Sequence, residues 1–374
     1  LASLVFIYFT FINASFFYVA LPLLVTFALL VRRHSKLFNE KLHLENLITI
    51  HKHELQGLTG DISCFMNGSE FLDLHHPYTH DLDIFGDGSL FQSVNRCNTL
   101  QGKKELANRL SRPLGSAEEI QTNQNAVQEL AGKTDFRQHF QAAGMEIEEQ
   151  SGDRQQLLAW LNVPSFVYAK PFFKILLVAL PAITISCIVG AFFYATIKPI
   201  AILLALSQWA ILGFYIKRVN VFHEYISQKK TILEKYAHIL HYLQKEEFSG
   251  PLMQNITDRA RDADVKVRSL ALLVTNINSR LNAMVNLFVN SLLMYDLQCV
   301  YRLEKWKHEN AADLKNWLDV VSQAEVLCSL GTFAFNHPSF VYATIDKDIT
   351  IEATALGHPL IPENECVTND ITVG

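Results

Sequence analysis

The sequence predicts a mainly α-helical protein with two apolar hairpins and a short strand-bearing stretch near its C-terminal end. Three observations predict this. Two blocks, Leu1–Val31 and Lys174–Lys217, are almost purely apolar. Between and after them, apolar residues recur at helical spacing behind recognisable helix caps. Only beyond about residue 338 does β-branched alternation begin.

Composition sets the bounds. The chain has 374 residues, of which 49% are hydrophobic, and a net charge of −5. That length holds two or more domains, and that charge gives no overall basic field for nucleic acid. The six cysteines (Cys64, Cys97, Cys187, Cys299, Cys328, Cys366) are scattered, with no C-x-x-C pair. They read as reduced thiols of a cytosolic compartment, not as a disulfide framework or a zinc site. The chain opens at Leu1 without Met and stops at Gly374, so both ends read as cut.

In the first apolar block, Asn13-Ala14-Ser15 reads as a turn. Leu1–Ile12 is then the tail of one membrane helix and Phe16–Val31 the next, because a bilayer core needs only about 20 residues. In the second block, Ile175–Thr196 and Ile200–Ile216 flank Lys198-Pro199. Lys170, Lys174, Lys217 and Arg218 mark the outer ends of this hairpin, and Arg32, Arg33 and Lys36 mark the same side of the first. The positive-inside rule places 32–173 and 218–374 together in the cytoplasm.

The polar stretches follow in order. Residues 33–60 continue the first membrane helix, with Leu37, Leu42, Leu44, Leu47, Ile48 and Leu55 on one side. Residues 61–83 read as a loop. Ser89-Leu-Phe-Gln92 is a capping box opening a short helix. Asn98 or Thr99 caps the next helix, with Leu100, Ala107 and Leu110 at helical spacing and Pro113 as the stop. Ser116-Ala-Glu-Glu119 is a second capping box, and Ile120, Val127 and Leu130 continue on one face. A long amphipathic helix is expected over 219–247, further helices over 252–296, and two more around Trp306 and Trp317. Val341–Ile345, Ile349–Ala355 and Glu365–Val373 read as strands.

These residues resemble a known family. Ser89-Leu90-Phe91, Thr99…Gly102…Leu106, Pro113-Leu114 and Gln124…Leu130 stand in the order of the MutS DNA mismatch-repair ATPases: "SLF", "T-x-x-G-x-x-x-L", "PL" and "Q-x-A-V-x-E-L". "GHPLIPENECVTNDITVG" (357–374) resembles the first strands of that family's ABC-type ATPase domain. The hairpins and "FAFNHPSF" (333–340) resemble a membrane-bound bacterial branch of it. The resemblance implies a helical core and lever bundle divided into 1–31 (hairpin, first helix incomplete), 32–80 (linker helix and loop), 81–173 (core, first part), 174–217 (hairpin), 218–337 (core and lever) and 338–374 (start of the ATPase domain).

It further implies ATP and Mg as cofactors of the full-length protein, a homodimer, and a bacterial inner-membrane location with the soluble parts cytoplasmic. By family position, Cys366, Val367 and Asn369 lie where adenine is contacted; the plainer reading makes Val367 an inward strand residue. The sequence contains no G-x-x-x-x-G-K-[ST] phosphate loop, so this stretch holds no catalytic residue of its own. DNA is the family's partner, and Lys103, Lys104, Arg109 and Arg112 form a local basic cluster that could meet phosphates. Membrane helices stand where the mismatch-reading domain would, however, and the second hairpin stands in place of the DNA clamp. Phe222-His223-Glu224 matches the family's Phe-x-Glu wedge by coincidence of spacing.

Other groupings yield less. His75, His76, His80, Asp81 and Asp83 have no spacing that fits a metal site. Glu304, Lys305, Lys307, His308 and Glu309 read as a solvent-facing mixed-charge run. The alternative function is a membrane-anchored helical scaffold or signalling protein without nucleotide chemistry. A transporter is disfavoured, since the apolar spans hold no charged residue.

Overall fold

The computed structural model describes residues 17–146, 149–281, 289–346, 350–361 and 365–374. It divides into two units, Leu1–Leu55 and Gln56–Gly374. The expected helix tail Leu1–Ile12 and the turn at Asn13–Ser15 lie outside the described residues.

The first unit is built on α1 (Phe17–Leu58), one 42-residue helix in which the apolar stretch runs unbroken into the polar one. The large side chains of the apolar stretch, among them Tyr18, Phe27 and Leu30, are exposed all round the helix. The polar stretch is two-sided in a way the pattern did not separate. Leu37, Leu44, Ile48 and Leu55 are exposed, Leu42 and Leu47 are partly covered, and Ile50 is buried.

The second unit begins with an irregular stretch and then a run of short helices. These are α2 (Leu90–Val94), α3 (Leu100–Ser111), α4 (Ala117–Ala131), α5 (Thr134–Met145) and α6 (Asp153–Leu161). The caps are those the sequence announces. Ser89 Oγ accepts from Gln92 N–H at 3.2 Å, Thr99 Oγ1 from Gly102 N–H at 2.9 Å, and Ser116 Oγ from Glu119 N–H at 3.1 Å. Both capping boxes close one residue early, with Gly88 N–H donating to Gln92 and Gly115 N–H to Glu119. On α3 the buried face is Gly102, Leu106 and Ala107, and Leu100 points outward. Gly68 has a φ of 68°, and a Cβ there would lie 2.5 Å from the Phe91 ring. It therefore lets the loop lie on the cluster of Phe71, Phe85 and Phe91.

The apolar hairpin is α7 (Pro171–Phe193) and α8 (Lys198–Ile226). Gln208 Nε2 donates to Thr184 Oγ1 at 2.6 Å across it, both side chains being fully buried. Such polar pairs join helices where water is absent. The helix runs on past Lys217, where the charges mark the end of the apolar run. It continues through a tightened turn at Ser227–Lys229 into α9 (Lys230–Lys245), so the apolar arm and the following helix form one rod.

Among the described residues the next helices are α10 (Pro251–Arg259), α11 (Ala263–Asn278) and the short α12 (Asn290–Leu293). The two helices expected around Trp306 and Trp317 are one, α13 (Tyr295–Asn336). Asn310, between the two tryptophans, donates from Nδ2 to the Trp306 carbonyl at 2.9 Å and stays helical. Three described helical stretches are long and apolar enough to cross a membrane: Pro171–Phe193, Ala195–Lys245 and Tyr295–Asn336. The first two bury only 17% of their most apolar window, but the third buries 67%, so α13 is a core rod.

Strands appear only at the end. β1 (Ile351–Leu356) pairs antiparallel with β2 (Asn369–Val373), in register at Ile351 with Val373 and shifted between Ala353 and Leu356. Ala355 takes up the irregularity with a φ of 53°. Val341–Ile345 forms no regular element and pairs with no strand among the described residues. Ile349 lies outside them.

The main core gathers α4–α11 and α13 around Trp160, Phe222 and Tyr236. Phe222 is fully buried, with its ring 6.0 Å from that of Trp160. A wedge inserted into DNA would need that ring exposed, so Phe222 belongs to the core. Phe222→Ala is expected to cost about 3–5 kcal/mol in urea unfolding of the detergent-solubilised protein. Phe214→Ala, at 80% exposure, should change it by less than about 0.5 kcal/mol.

Candidate functional site

The first turn of α3 leaves backbone N–H groups without helical partners, and two carboxylates from distant parts of the chain are aimed at them. Glu325 of α13 is 4% exposed. Its Oε1 accepts from Asn98 N–H at 2.9 Å and from Thr99 N–H at 3.0 Å, and its Oε2 accepts from the Thr99 hydroxyl. Glu149 Oε2 accepts from Leu100 N–H at 2.9 Å, while its Oε1 takes the Tyr236 hydroxyl at 3.3 Å. Lys235 of α9, 1% exposed, donates from Nζ to the Asn98 carbonyl at 3.2 Å. Negative charge at a helix N-terminus also meets the favourable end of the helix dipole.

This geometry gives the T-x-x-G spacing a physical meaning. Thr99 both caps α3 and bonds Glu325. A Cβ on Gly102 would lie 2.0 Å from Glu325 Oε2, so only glycine leaves room for the carboxylate. Gly331, six residues further along α13, does the same for Leu130 of α4, whose Cβ would lie 2.9 Å from an added Cβ.

Burial sets the electrostatics. It raises the Glu325 carboxyl above its ordinary range, against the opposing pull of the Thr99 hydroxyl and the amides. It lowers the Lys235 ammonium, with Glu325 and Glu149 pulling the other way. Burial followed by Glu149 pushes the Tyr236 phenol well up. Cys97 and Cys328 beside the joint are pushed up by burial too, and are inert thiols.

A second joint lies at the foot of the hairpin. Glu304 of α13 is fully buried and accepts from Phe166, Val167 and Tyr168 N–H at 2.8, 3.0 and 2.6 Å. Lys307 Nζ donates to the Val163 carbonyl. Gln298 Nε2 reaches the Leu177 carbonyl of α7 at 3.2 Å. The expectation of a solvent-facing run thus fails for Glu304 and Lys307 and holds for Lys305 and Glu309, which are half exposed. The missed signal was phase: 300, 303, 304, 307, 310 and 314 lie on one helical stripe that also carries Val300, Leu303 and Leu314.

The other expected residues scatter. Lys103 donates to Met66 Sδ, and Arg109 bonds Asn123 and Glu105. Lys104 is exposed on α3 and Arg112 is its exposed, extended C-cap, so with Lys103 and Arg109 engaged elsewhere the four make no single basic face. Val367 is 82% exposed and precedes β2, so it is not an inward strand residue. Asn369 opens β2 opposite Leu356, and the Cys366 thiol faces the His358 carbonyl. His76 Nδ1 accepts from the Tyr78 and Thr79 amides and so shapes its own turn. Among the described residues no three His, Cys, Asp or Glu side chains gather as metal ligands do.

Because the folded-state pKa of Glu325 is raised, the folded protein binds more protons than the unfolded chain as pH rises from 4.5, the ordinary value. Its contribution to stability is therefore lost with rising pH through the raised folded value. Urea unfolding of the parent and of Glu325→Gln across this range should show the difference shifting in the variant's favour as pH rises.

The family model for MutS domain III matches residues 72–331, a span that includes both joints and the apolar hairpin. No curated protein and no solved structure matches the chain.

Proposed function

The chain belongs to the MutS family, and from that premise we propose that it is the anchor, core and lever of a membrane-bound MutS-like ATPase subunit. In this reading α7 and α8 span a bacterial inner membrane together with the apolar part of α1, and the remainder lies in the cytoplasm. ATP and Mg bind to an ABC-type domain whose first strands are β1 and β2, with Cys366, Val367 and Asn369 along the adenine. Nucleotide binding closes two copies, and the core helices carry that movement to the hairpin. If DNA is a partner, Lys104 on α3 and Arg112 just after it are the exposed cations of the cluster, each able to meet a phosphate on its own.

The observation that carries the reading is the course of α13. This one helix of 42 residues is about 63 Å long. Its first turns are bonded to the foot of the hairpin through Gln298 and Glu304. Its last turns hold the α3 joint through Glu325 and end shortly before the strands. A displacement at the strand end has a stiff route to the hairpin, and the α8–α9 rod supplies a second route through Lys235.

The test is hydrogen exchange on the full-length protein in liposomes, with and without ATP and Mg. The reading expects the amides of Phe166, Val167 and Tyr168 to change protection on nucleotide binding, and Glu304→Gln to abolish that change while leaving ATP binding intact. Nucleotide binding that alters no amide before residue 336 would contradict the lever. Absence of nucleotide binding would favour a scaffold without nucleotide chemistry.

A further inference from the structure

Beyond the hairpin and the joints, α1 carries an apolar seam that nothing above uses. Leu37, Leu44, Ile48 and Leu55 are each more than half exposed. Their spacing of 7, 4 and 7 residues repeats every 11, and at 3.6 residues per turn it confines them to an arc of about 40° over about 27 Å. A stripe so narrow and straight is the pattern of a two-helix seam, and an 11-residue period gives a nearly straight or slightly right-handed pair. The opposite side of the helix holds the buried Ile50, so the seam is a distinct second face.

The flanks say what fits it. Lys41 lies about 40° to one side of the seam and Glu40 about 60° to the other. Both side chains are exposed, and each makes an ion pair along its own helix, Lys36–Glu40 at 3.6 Å and Lys41–Glu45 at 3.5 Å. In a parallel two-fold pair each flank faces the opposite flank of the other helix. Lys41 of one copy then stands level with Glu40 of the second copy, twice over by symmetry. An antiparallel pair would instead set Lys41 against Lys52. We propose that the seam Leu37–Leu55 of α1 joins two copies of this chain as a parallel helix pair. The parallel sense also follows from the membrane reading above, on which this inference partly rests, since two α1 helices rooted in one bilayer emerge on the same side. Four apolar side chains per helix make a weak contact, and confinement to the membrane supplies the effective concentration that makes it form.

Photo-crosslinking of the full-length protein in liposomes tests this, with flotation of the same sample reporting membrane insertion separately. Leu44→benzoylphenylalanine and Ile48→benzoylphenylalanine should each yield a two-chain product, and Phe38→benzoylphenylalanine, about 100° off the seam, should not. Lys41→Glu should lower the yield by roughly threefold, and adding Glu40→Lys to it should restore the yield. Chains that float but give no two-chain product, or give it equally from position 38, would overturn the proposal. A two-chain product from 44 and 48 in chains that do not float would uphold the seam and refute the membrane reading.

Discussion

The Glu325 carboxylate holds separate chain segments in one buried place. Removing a carboxylate from water costs several kcal/mol unless donors and a counter-charge replace the hydration shell. Here two backbone amides and a hydroxyl from the N-cap of α3 and the residue before it supply the donors, and Lys235 supplies a positive charge bonded to the same segment. The arrangement leaves no tolerance for a side chain at 102 and little for movement of α3 against α13. It also binds α9, and through it the apolar arm α8, to the same point. The placement of the core helices relative to the hairpin depends on this joint.

The same device recurs. Glu129 of α4 accepts from the Ser249 and Gly250 amides at the start of α10, Glu149 from Leu100 N–H, and Glu304 from the three amides that precede α7. In each case a carboxylate from one segment satisfies N–H groups that a loop or helix start cannot satisfy itself. Charged hydrogen bonds of this kind are stronger and more directional than neutral ones. They make rigid joints between rods that apolar packing alone would let slide. A helical bundle built this way suits the transmission of movement, which is the role proposed for it.

Local chemistry was legible in the sequence and distant chemistry was not. The caps at Ser89, Thr99 and Ser116 could be read because each cap oxygen and the N–H that donates to it lie three residues apart. The hairpin could be read because membrane-length apolar runs are rare. Glu304, Lys307 and Glu325 could not, since a charged residue on a helix reads as surface until its partner, more than a hundred residues away, is known. The two tryptophans suggest two helices, but α13 is continuous, and Asn310 between them donates to the Trp306 carbonyl and stays helical. Val341–Ile345 has strand composition, but a strand is made by its neighbour, and composition does not show the neighbour. The resemblance singles out Thr99 and Gly102 as a motif without a site role, and only the fold shows that they receive Glu325.

The central claim is that α9 and α13 are coupled through the start of α3, and a double-mutant cycle measures that directly. Lys235→Met, Glu325→Gln and the double variant would be unfolded in urea from the detergent-solubilised protein. The account predicts a coupling energy of about 1–3 kcal/mol between the two sites. Additive effects, with a coupling indistinguishable from zero, would contradict it.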